Sequence, residues 1–330
     1  MNAPLLNVEN LSVEFSTRAG SHAAVSDVSF TLCAGETLGV VGESGSGKSL
    51  TMLSLLQLLP NRAAAHATRA QLGERNLLQL TRTELDAVRG REIAIVFQDP
   101  LTALNPVMTV GAQIVEAIRI HERSVSRQVA QERAVALMRM VAIPLPERRV
   151  SQYPHEFSGG MRQRAAIAMS MANDPDLLVA DEPTTALDVT VQAQIMDVLR
   201  RLRDEKGLGV ILITHDLGLL AGIADQVAVM YAGRVVERAA VDELFAAPRH
   251  PYTRGLLASL SKIDKPTTRL FSIGGAPPSL EHLPTGCAFH PRCPEVGKIC
   301  RSIAPPLLEF AGGAAACHRA AMPVTLGADP

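Results

Sequence analysis

The chain has 330 residues, of which 47% are hydrophobic and 20% are charged, and its formal net charge is −1. This length suits one large α/β domain with an appendage, and the near-neutral charge argues against a basic nucleic-acid-binding surface. No apolar run is long enough for a membrane span, and residues 1–9 lack the pattern of a secretory signal. We therefore expect a cytosolic protein whose five cysteines do not form structural disulfides.

The first predicted elements are two short strands. Apolar and polar residues alternate from Val8 to Phe15, with one slip, and a second strand is predicted over Val28–Leu32. The polar stretch Ser16–Ala23 between them predicts a flexible connection. Phe15 can stack on a nucleotide base, although a residue of this kind is more often an ordinary core phenylalanine.

A third strand leads into a glycine-rich loop. The apolar run Thr37–Val41 predicts a buried parallel strand, and Leu50–Leu56 predicts a helix that Pro60 ends. The loop between them reads GESGSGKS and matches the phosphate-loop pattern G-x-x-x-x-G-K-[ST] in its required strand–loop–helix context. Its backbone N–H groups and the helix N-terminus form an anion cradle, made by Gly42, Glu43, Ser44, Gly45, Ser46 and Gly47. Lys48 can reach the β- and γ-phosphates, and the Ser49 hydroxyl can bind Mg²⁺.

The next segments differ in how clearly they are patterned. Residues 61–90 are polar and rich in Ala and Arg, and predict peripheral structure, whereas Ile93–Phe97 predicts a buried strand. Gln98 follows this strand at its carboxyl end, where open α/β sheets bind ligands. There it can orient a water molecule or contact Mg²⁺; the alternative is a surface glutamine.

Residues 107–172 predict an all-helical region. One helix has an apolar face, and Ser126 can cap a second helix that ends before Pro144. The sequence FSGGM at 157–161 then precedes another helix, predicted from Arg162 to Met171. Ser158 with Gly159 and Gly160 makes a second anion site at a helix start. Because one chain cannot easily bring two such helix ends to one phosphate, a partner chain can supply the second.

Carboxylates follow the next buried strand. Leu177–Val179 leads to Asp181 and Glu182, of which one can hold Mg²⁺ and the other can polarise an attacking water; a structural ion pair is the alternative. Thr184 to Asp188 then precedes an amphipathic helix.

His215 follows the buried strand Gly209–Ile213 and can contact a γ-phosphate, although a lone histidine is more often structural. Val227–Glu237 predicts a hairpin, and Asp242 can cap a short helix that ends near Pro248.

In their order and spacing, these motifs resemble the ATP-binding subunit of an ABC transporter. The most specific is the FSGGM stretch, because other phosphate-loop ATPases lack it. The resemblance implies an α/β P-loop NTPase of the ABC cassette type over residues 1–260, with a RecA-like core, an antiparallel β subdomain and an α-helical subdomain at about 101–172. A small Cys-containing C-terminal extension, 261–330, would follow.

Further motifs narrow the resemblance to the D-type subunit of dipeptide and oligopeptide importers. Met161 replaces the usual glutamine of the signature, HPYT at 250–253 resembles the motif that follows the cassette, and Gly286–Pro294 resembles the subfamily's tail. The same subfamily includes importers of nickel and glutathione, so peptide is the expected solute and these are the alternatives.

The resemblance also implies roles for single residues. Phe15 would stack on adenine, Glu182 would be the general base, and His215 would fix the γ-phosphate. Mg²⁺ would be bound by Ser49, Asp181 and Gln98, and Gln98 would also sense the γ-phosphate. Ser158, Gly159 and Gly160 would complete the ATP site of a partner chain, and Asp188 would communicate across the dimer.

The expected partners are a second ABC ATPase subunit, two transmembrane permease subunits and, indirectly, a solute-binding protein. The second ATPase would be a related F-type chain or a copy of this one. The protein would then be peripheral on the cytoplasmic face of the inner membrane. Two other classes are a soluble ABC ATPase that acts on nucleic acid or ribosomes, and a module that binds ATP without turnover. The neutral charge argues against the first, and Glu182 and His215 argue against the second.

The C-terminal cysteines are Cys287, Cys293, Cys300 and Cys317, and no two of them form a C-x-x-C pair. Spacing alone is therefore a weak metal signal. The resemblance to dipeptide importers implies a [4Fe–4S] cluster on these four thiols. Zinc, with His290 or His318 as a substitute ligand, is the second hypothesis, and four unligated cysteines are the third. Cys33 is expected to be structural.

Overall fold

A computed structural model describes residues 3–17, 20–260, 272–279 and 282–320. The start of the predicted extension, 261–271, lies outside these residues. The chain divides into two compact units. We call them the helical unit, which comprises Met1–Leu6, Leu32–Thr37 and Leu72–Ile213, and the phosphate-loop unit, which comprises Asn7–Thr31, Leu38–Gln71 and Thr214–Pro330.

The elements of the chain alternate between strands and helices, as an α/β fold requires. The strands are β1 Leu6–Thr17, β2 Gly20–Leu32, β3 Thr37–Val41, β4 Ala63–His66, β5 Arg69–Leu72, β6 Arg75–Asn76, β7 Ile93–Val96, β8 Leu177–Asp181, β9 Gly209–Thr214, β10 Gln226–Tyr231, β11 Arg234–Ala240, β12 Leu308–Phe310 and β13 Gly313–Ala315. The α-helices are α1 Lys48–Leu55, α2 Arg82–Val88, α3 Pro100–Ala103, α4 Val110–His121, α5 Arg127–Met140, α6 Pro146–Arg149, α7 Gly159–Ser170, α8 Val189–Lys206, α9 Leu217–Leu220, α10 Val241–Ala246 and α11 Pro251–Ala258.

The helical unit contains a parallel sheet, in which β7 pairs with β8 and β8 pairs with β9. Every residue of β8 and β9 is buried, which explains their continuous apolar sequence. The region that was predicted to be helical contains α4 to α7. The apolar face predicted for α4 is buried, and Ser126 caps α5, as predicted, by accepting the Val129 N–H at 3.3 Å.

In the phosphate-loop unit, strands pair around β10. Strand β3 pairs with β10 in parallel, and the predicted hairpin is formed by the antiparallel strands β10 and β11. Strand β13, from the C-terminal extension, adds antiparallel to β11, and β12 adds to β13. The extension therefore joins the sheet that carries the phosphate loop, which the sequence did not predict.

Several local predictions were wrong. The stretch Ser16–Ala23, predicted as a flexible connection, includes the end of β1 and the start of β2. Residues 61–90, for which only peripheral structure was predicted, contain β4, β5, β6 and α2. Phe97 is 42% exposed, beyond the end of β7. Asp242 does not cap α10, because it lies inside the helix and Ala240 occupies the N-cap position.

The start of α11 depends on a buried histidine. His250 is 1% exposed, and its Nδ1 accepts the Tyr252 N–H at 3.1 Å as the helix cap. Burial, together with the charge of Arg254, lowers the pKa of His250 to about 3. Glu237, whose carboxylate accepts the N–H groups of Arg249 and His250, has a pKa raised by burial.

We expect acid to destabilise the protein through His250. Between the unfolded pKa of about 6.5 and the folded pKa, only the unfolded chain takes up the proton, so the free energy of unfolding decreases by up to about 1.4 kcal/mol for each unit by which the pH falls. The variant H250N keeps a capping acceptor but cannot titrate. Urea unfolding at pH 7 and pH 4.5 should therefore show a smaller acid loss for H250N than for the wild type. Since Glu237 is common to both proteins, equal losses would contradict the assignment to His250.

Candidate functional site

The glycine loop is fixed by the strand that precedes it. All five residues of β3 are buried, and the loop then turns tightly against β10. A Cβ on Gly42 would lie 2.2 Å from the Met230 carbonyl oxygen, so only glycine fits there. Gly45 and Gly47 have φ of +77° and +97°, in the left-handed region that favours glycine. Helix α1 begins directly at Lys48, two residues before the predicted start.

Two side chains of the loop, those of Lys48 and Ser46, are buried. Lys48 is 5% exposed, and its Nζ donates to the carbonyl oxygens of Gly42 at 2.7 Å and Glu43 at 3.0 Å. Ser46 is 4% exposed, and its Oγ has no hydrogen-bond partner among the described residues. A buried hydroxyl that lacks a partner carries an unfavourable desolvation energy, which a phosphate oxygen in the loop would relieve. These residues therefore fit a bound polyphosphate.

Glu43 has two contacts that the sequence did not predict. Its backbone N–H donates to the Tyr252 hydroxyl at 2.9 Å, and its carboxylate pairs with Arg292 at 2.7 Å. Tyr252 lies on α11 and Arg292 in the C-terminal extension. In the sequence, only the HPYT and GCAFHPRCP stretches drew attention to these two residues. The spacing of those stretches does not predict that they contact the phosphate loop.

The carboxylates that follow β8 lie as predicted at the end of a buried strand. Asp181 is 7% exposed, and Glu182 is half-buried. The Glu182 Oε2 accepts two hydrogen bonds, from Gln98 Nε2 and from Thr185 Oγ1, each at 2.9 Å. The structure thus brings Gln98 and Glu182 together, although 84 residues of sequence separate them. Two donors on one oxygen hold the carboxylate in one orientation.

Glu182 has a left-handed backbone, which no feature of the sequence predicts. Its φ is +46°, a region in which residues other than glycine are uncommon. The conformation is held by hydrogen bonds on both sides, since the Glu182 N–H donates to the Ile213 carbonyl at 2.9 Å and its own carbonyl accepts the Thr185 N–H at 3.2 Å. Such conformations cost of the order of 1–3 kcal/mol and cluster at functional sites.

The FSGGM stretch forms the N-terminus of α7. Ser158 is exposed and caps the helix, since its Oγ accepts the Met161 N–H at 3.3 Å. Gly159 is exposed, but Gly160 is buried, and a Cβ there would lie 2.4 Å from Val191 Cγ1 on α8. Gly160 is therefore required for the packing of α7 on α8, whatever else it does. The helix begins three residues earlier than predicted.

The remaining predicted site residues lie on or near the ends of elements. Asp188 is exposed and caps α8 by accepting the Val191 N–H at 3.0 Å. Phe15 is half-buried on β1, opposite Ala63 of β4. His215 is exposed and directly follows β9, and Ser49 is half-buried on α1.

The four C-terminal cysteines line a single cavity in the phosphate-loop unit. Phe289, His290, Glu295 and His318 line it too. Burial raises the pKa of Cys287, Cys293 and Cys317. Within the described part of the chain, however, no three His, Cys, Asp or Glu side chains lie close enough to hold one metal ion. Four zinc-bound sulfurs would be only about 3.8 Å apart. The arrangement of these side chains therefore supports neither the zinc hypothesis nor the [4Fe–4S] hypothesis.

Comparison with known proteins identifies the family of this chain. The ABC transporter family model matches residues 25–185, and the model of the oligopeptide/dipeptide transporter C-terminal region matches residues 236–300. The oligopeptide transport ATP-binding protein OppD of Salmonella typhimurium is 48% identical over 94% of this chain and 91% of its own. OppD of Mycobacterium tuberculosis is 50% identical, over 97% of this chain and 52% of its own.

Solved structures share the fold. The ATP-binding cassette MJ0796, in a dimeric post-hydrolysis state with bound ADP and Pi, matches with a TM-score of 0.63 and 26% identity. The match covers 72% of this chain and 98% of that one. The α/β cassette expected from the sequence is therefore confirmed.

The contact of Gly42 with Met230 predicts different effects for two loop glycines. G42A should lower the free energy of unfolding by about 1–3 kcal/mol, because the new methyl group collides with a backbone carbonyl. G45A should cost only about 1 kcal/mol, because its Cβ meets no atom within 4 Å and only the left-handed φ is unfavourable. Urea unfolding of both variants tests this, and an equal loss in the two would contradict the collision.

Proposed function

This chain belongs to the ABC transporter ATPases, in the branch of peptide import ATP-binding proteins, and we propose that it binds and hydrolyses ATP to power the import of oligopeptides or dipeptides. The observation that carries the proposal is the phosphate loop with its buried Lys48, in a chain that is 48% identical to an oligopeptide transport ATP-binding protein over nearly its whole length. Nickel and glutathione remain the alternative solutes within the branch.

Hydrolysis rests on positioning and charge stabilisation. Glu182 is the general base, and the hydrogen bonds from Gln98 and Thr185 orient its carboxylate toward the attacking water. Lys48 exchanges its contacts with the loop carbonyls for the β- and γ-phosphates, and His215 contacts the γ-phosphate. Phe15, half-buried near the end of β1, stacks on the adenine.

Mg²⁺ fits the oxygen donors of this chain. The Ser49 hydroxyl and the Asp181 carboxylate would hold the ion, and Gln98 would be a further oxygen ligand, since hard oxygen donors of this kind suit Mg²⁺. The ion neutralises phosphate charge when it is bound.

A second ATPase subunit completes the site. Ser158 and Gly159 are exposed at the start of α7, where backbone N–H groups and the helix dipole favour an anion. We assign this helix end, with Gly160, to the γ-phosphate of the partner chain, and exposed Asp188 to communication across the dimer. Loss of the γ-phosphate would release the two subunits.

The helical unit offers a surface for the permease subunits. An open groove of about 760 Å³ is lined by α4, α5 and residues 150–151. It includes Ile120, which is 62% exposed, and the cationic side chains of Arg119 and Arg123. No described helix is long and apolar enough to cross a membrane. We propose that two permease subunits hold this chain at the cytoplasmic face of the inner membrane and that a solute-binding protein delivers the peptide to them. The division into a cassette, 1–260, and an extension, 261–330, is part of this proposal.

We propose a [4Fe–4S] cluster at the cysteine cavity, and the support for it is the relationship of this chain to oligopeptide transport ATP-binding proteins. The four cysteines line the same cavity. A cluster uses four cysteine thiolates that are spread over several atoms. Cys287, Cys293, Cys300 and Cys317 would hold it, and the bound group would supply folding free energy to a segment with few core residues.

The variant E182Q tests the catalytic assignment and the function together. Because the amide cannot accept the proton of the attacking water, we expect kcat for ATP to fall by about 10²–10⁴-fold. ATP binding should remain, and a nucleotide-bound dimer should accumulate, measured by size-exclusion chromatography. In cells that depend on imported peptides, E182Q should abolish uptake of a labelled tripeptide.

The matched control is E92Q, which removes a carboxylate that pairs with Arg75 at the surface of the same unit. E92Q should hydrolyse ATP and support uptake like the wild type. Unchanged hydrolysis in E182Q would refute Glu182 as the base. Uptake of nickel or glutathione, but not of peptide, in cells with the wild type would replace the proposed solute.

Iron and sulfide analysis tests the cysteine site. Anaerobically purified protein should contain about four iron and four sulfide atoms per chain. C293S should lower both contents and the thermal unfolding midpoint, whereas C33S, which changes a cysteine at the end of β2 outside the cavity, should leave both unchanged. A folded, metal-free protein whose thiols all react with a maleimide would contradict the proposal.

A further inference from the structure

Arg292, in the C-terminal extension, forms a fully satisfied ion pair with the phosphate loop. Its Nη1 donates to Glu43 Oε2 at 2.7 Å and its Nη2 to Glu43 Oε1 at 2.9 Å, a bidentate arrangement. The three other guanidinium N–H bonds go to the Tyr231 hydroxyl, the Ile273 carbonyl and the Gly274 carbonyl. The Arg292 side chain is 6% exposed, and that of Glu43 is 26% exposed. All the N–H donors of the nearly buried Arg292 guanidinium are therefore hydrogen-bonded, and two of them bind Glu43 of the phosphate loop.

Glu43 is therefore held at three points. The extension holds its carboxylate, the Tyr252 hydroxyl accepts its N–H, and its carbonyl oxygen accepts a hydrogen bond from Lys48 Nζ. Lys48 is the residue that is assigned to the β- and γ-phosphates. A shift of Glu43 would therefore change both the backbone cradle and the resting position of the lysine.

Packed aromatic side chains hold the segment that carries Arg292 in place. Arg292 ends the one-turn 3-10 helix His290–Arg292, which lies between two of the four cavity cysteines. The preceding residue, Phe289, is 2% exposed and packs edge-on against Tyr231, with ring centroids 5.2 Å apart. Tyr252 packs against the same two rings. The aromatic side chains thus join the extension, α11 and β10 around the arginine, so that the loop is braced by packed rings.

A second ion pair provides a contrast. Arg254 of α11 pairs with Glu295 of the extension at 2.6 Å, and both side chains are about one-third exposed. This pair also ties the extension to the rest of its unit, but it lies on the cysteine cavity side, where Glu295 is a lining residue. The two arginines therefore share a role in attachment, whereas the carboxylate that Arg292 binds belongs to the phosphate loop itself.

We propose that Arg292 is a positioning residue for ATP binding, which sets the geometry of the phosphate loop through Glu43. The C-terminal extension is then a working part of its own chain's nucleotide site. The inference rests on the proposed ATPase function, and it does not depend on what the cysteine cavity holds. Arg292 acts through Glu43 and does not touch the nucleotide.

The test compares R292Q, R292K, E43Q and the control R254Q in the full-length protein. Equilibrium binding of a fluorescent ATP analogue gives Kd, steady-state hydrolysis gives KM and kcat, and thermal unfolding gives the midpoint. We expect R292Q to raise Kd and KM by about tenfold, as for the loss of a coupled buried pair, with a smaller change in kcat. R292K keeps the charge but loses the fork geometry, so its Kd should lie between those of R292Q and the wild type.

The double variant R292Q/E43Q tests whether the two residues act together. Its Kd should be no higher than that of R292Q alone, because the second substitution removes a partner that is already lost. R254Q should bind ATP like the wild type, even where its unfolding midpoint falls as much as that of R292Q.

Equal Kd values for R292Q and R254Q would overturn the inference, and so would additive effects of R292Q and E43Q. A merely structural role would lower the unfolding midpoint and leave the Kd of the folded protein unchanged. If the wild type itself bound no ATP, the proposed function would fail. If it bound ATP and R292Q did not alter Kd, only the role of Arg292 would fail.

Discussion

The close approach of Gly42 to the carbonyl oxygen of Met230 anchors the phosphate-loop unit. It sets the loop against β10, and the buried strand β3 and the first turn of α1 leave the loop little freedom on either side. The cradle is then ready before a nucleotide binds, with Lys48 on the loop carbonyls and the Ser46 hydroxyl buried without a partner among the described residues. Such preorganisation lowers the entropic cost of binding.

In the helical unit, hydrogen bonds fix the orientation of the carboxylate that is proposed as the general base. Glu182 adopts a left-handed backbone at the end of β8, and the hydrogen bonds from Gln98 and Thr185 converge on one of its oxygens. Because Gln98 both holds this carboxylate and follows a separate strand, a movement of the segment after β7 would shift the proposed base directly. In the proposed function, the hydrogen bond between Gln98 and Glu182 would be enough to link a movement of the permease to ATP hydrolysis.

The C-terminal extension is more than an appendage. It adds β12 and β13 to the sheet edge at β11, surrounds a cavity with four cysteines, and places Arg292 on Glu43. The extension therefore stabilises the phosphate loop, which the sheet also supports through strand β3. A segment with few core residues of its own gains its order from these contacts and, in the proposed function, from the group that the cysteines would hold.

Features that depend on neighbouring residues could be predicted from the chain alone. Buried parallel strands appear as continuous apolar runs, and the phosphate loop, the FSGGM helix start and the acidic end of β8 are contiguous motifs, so the α/β cassette and its candidate site residues follow from them. The half-buried strands of residues 63–76 were missed, because their few apolar residues form no clear period. The left-handed turn at Glu182, the packing role of Gly160 and the ion pair between Arg292 and Glu43 emerged only from the folded molecule. The last joins residues 249 positions apart, and no spacing rule specifies a contact made across a folded surface.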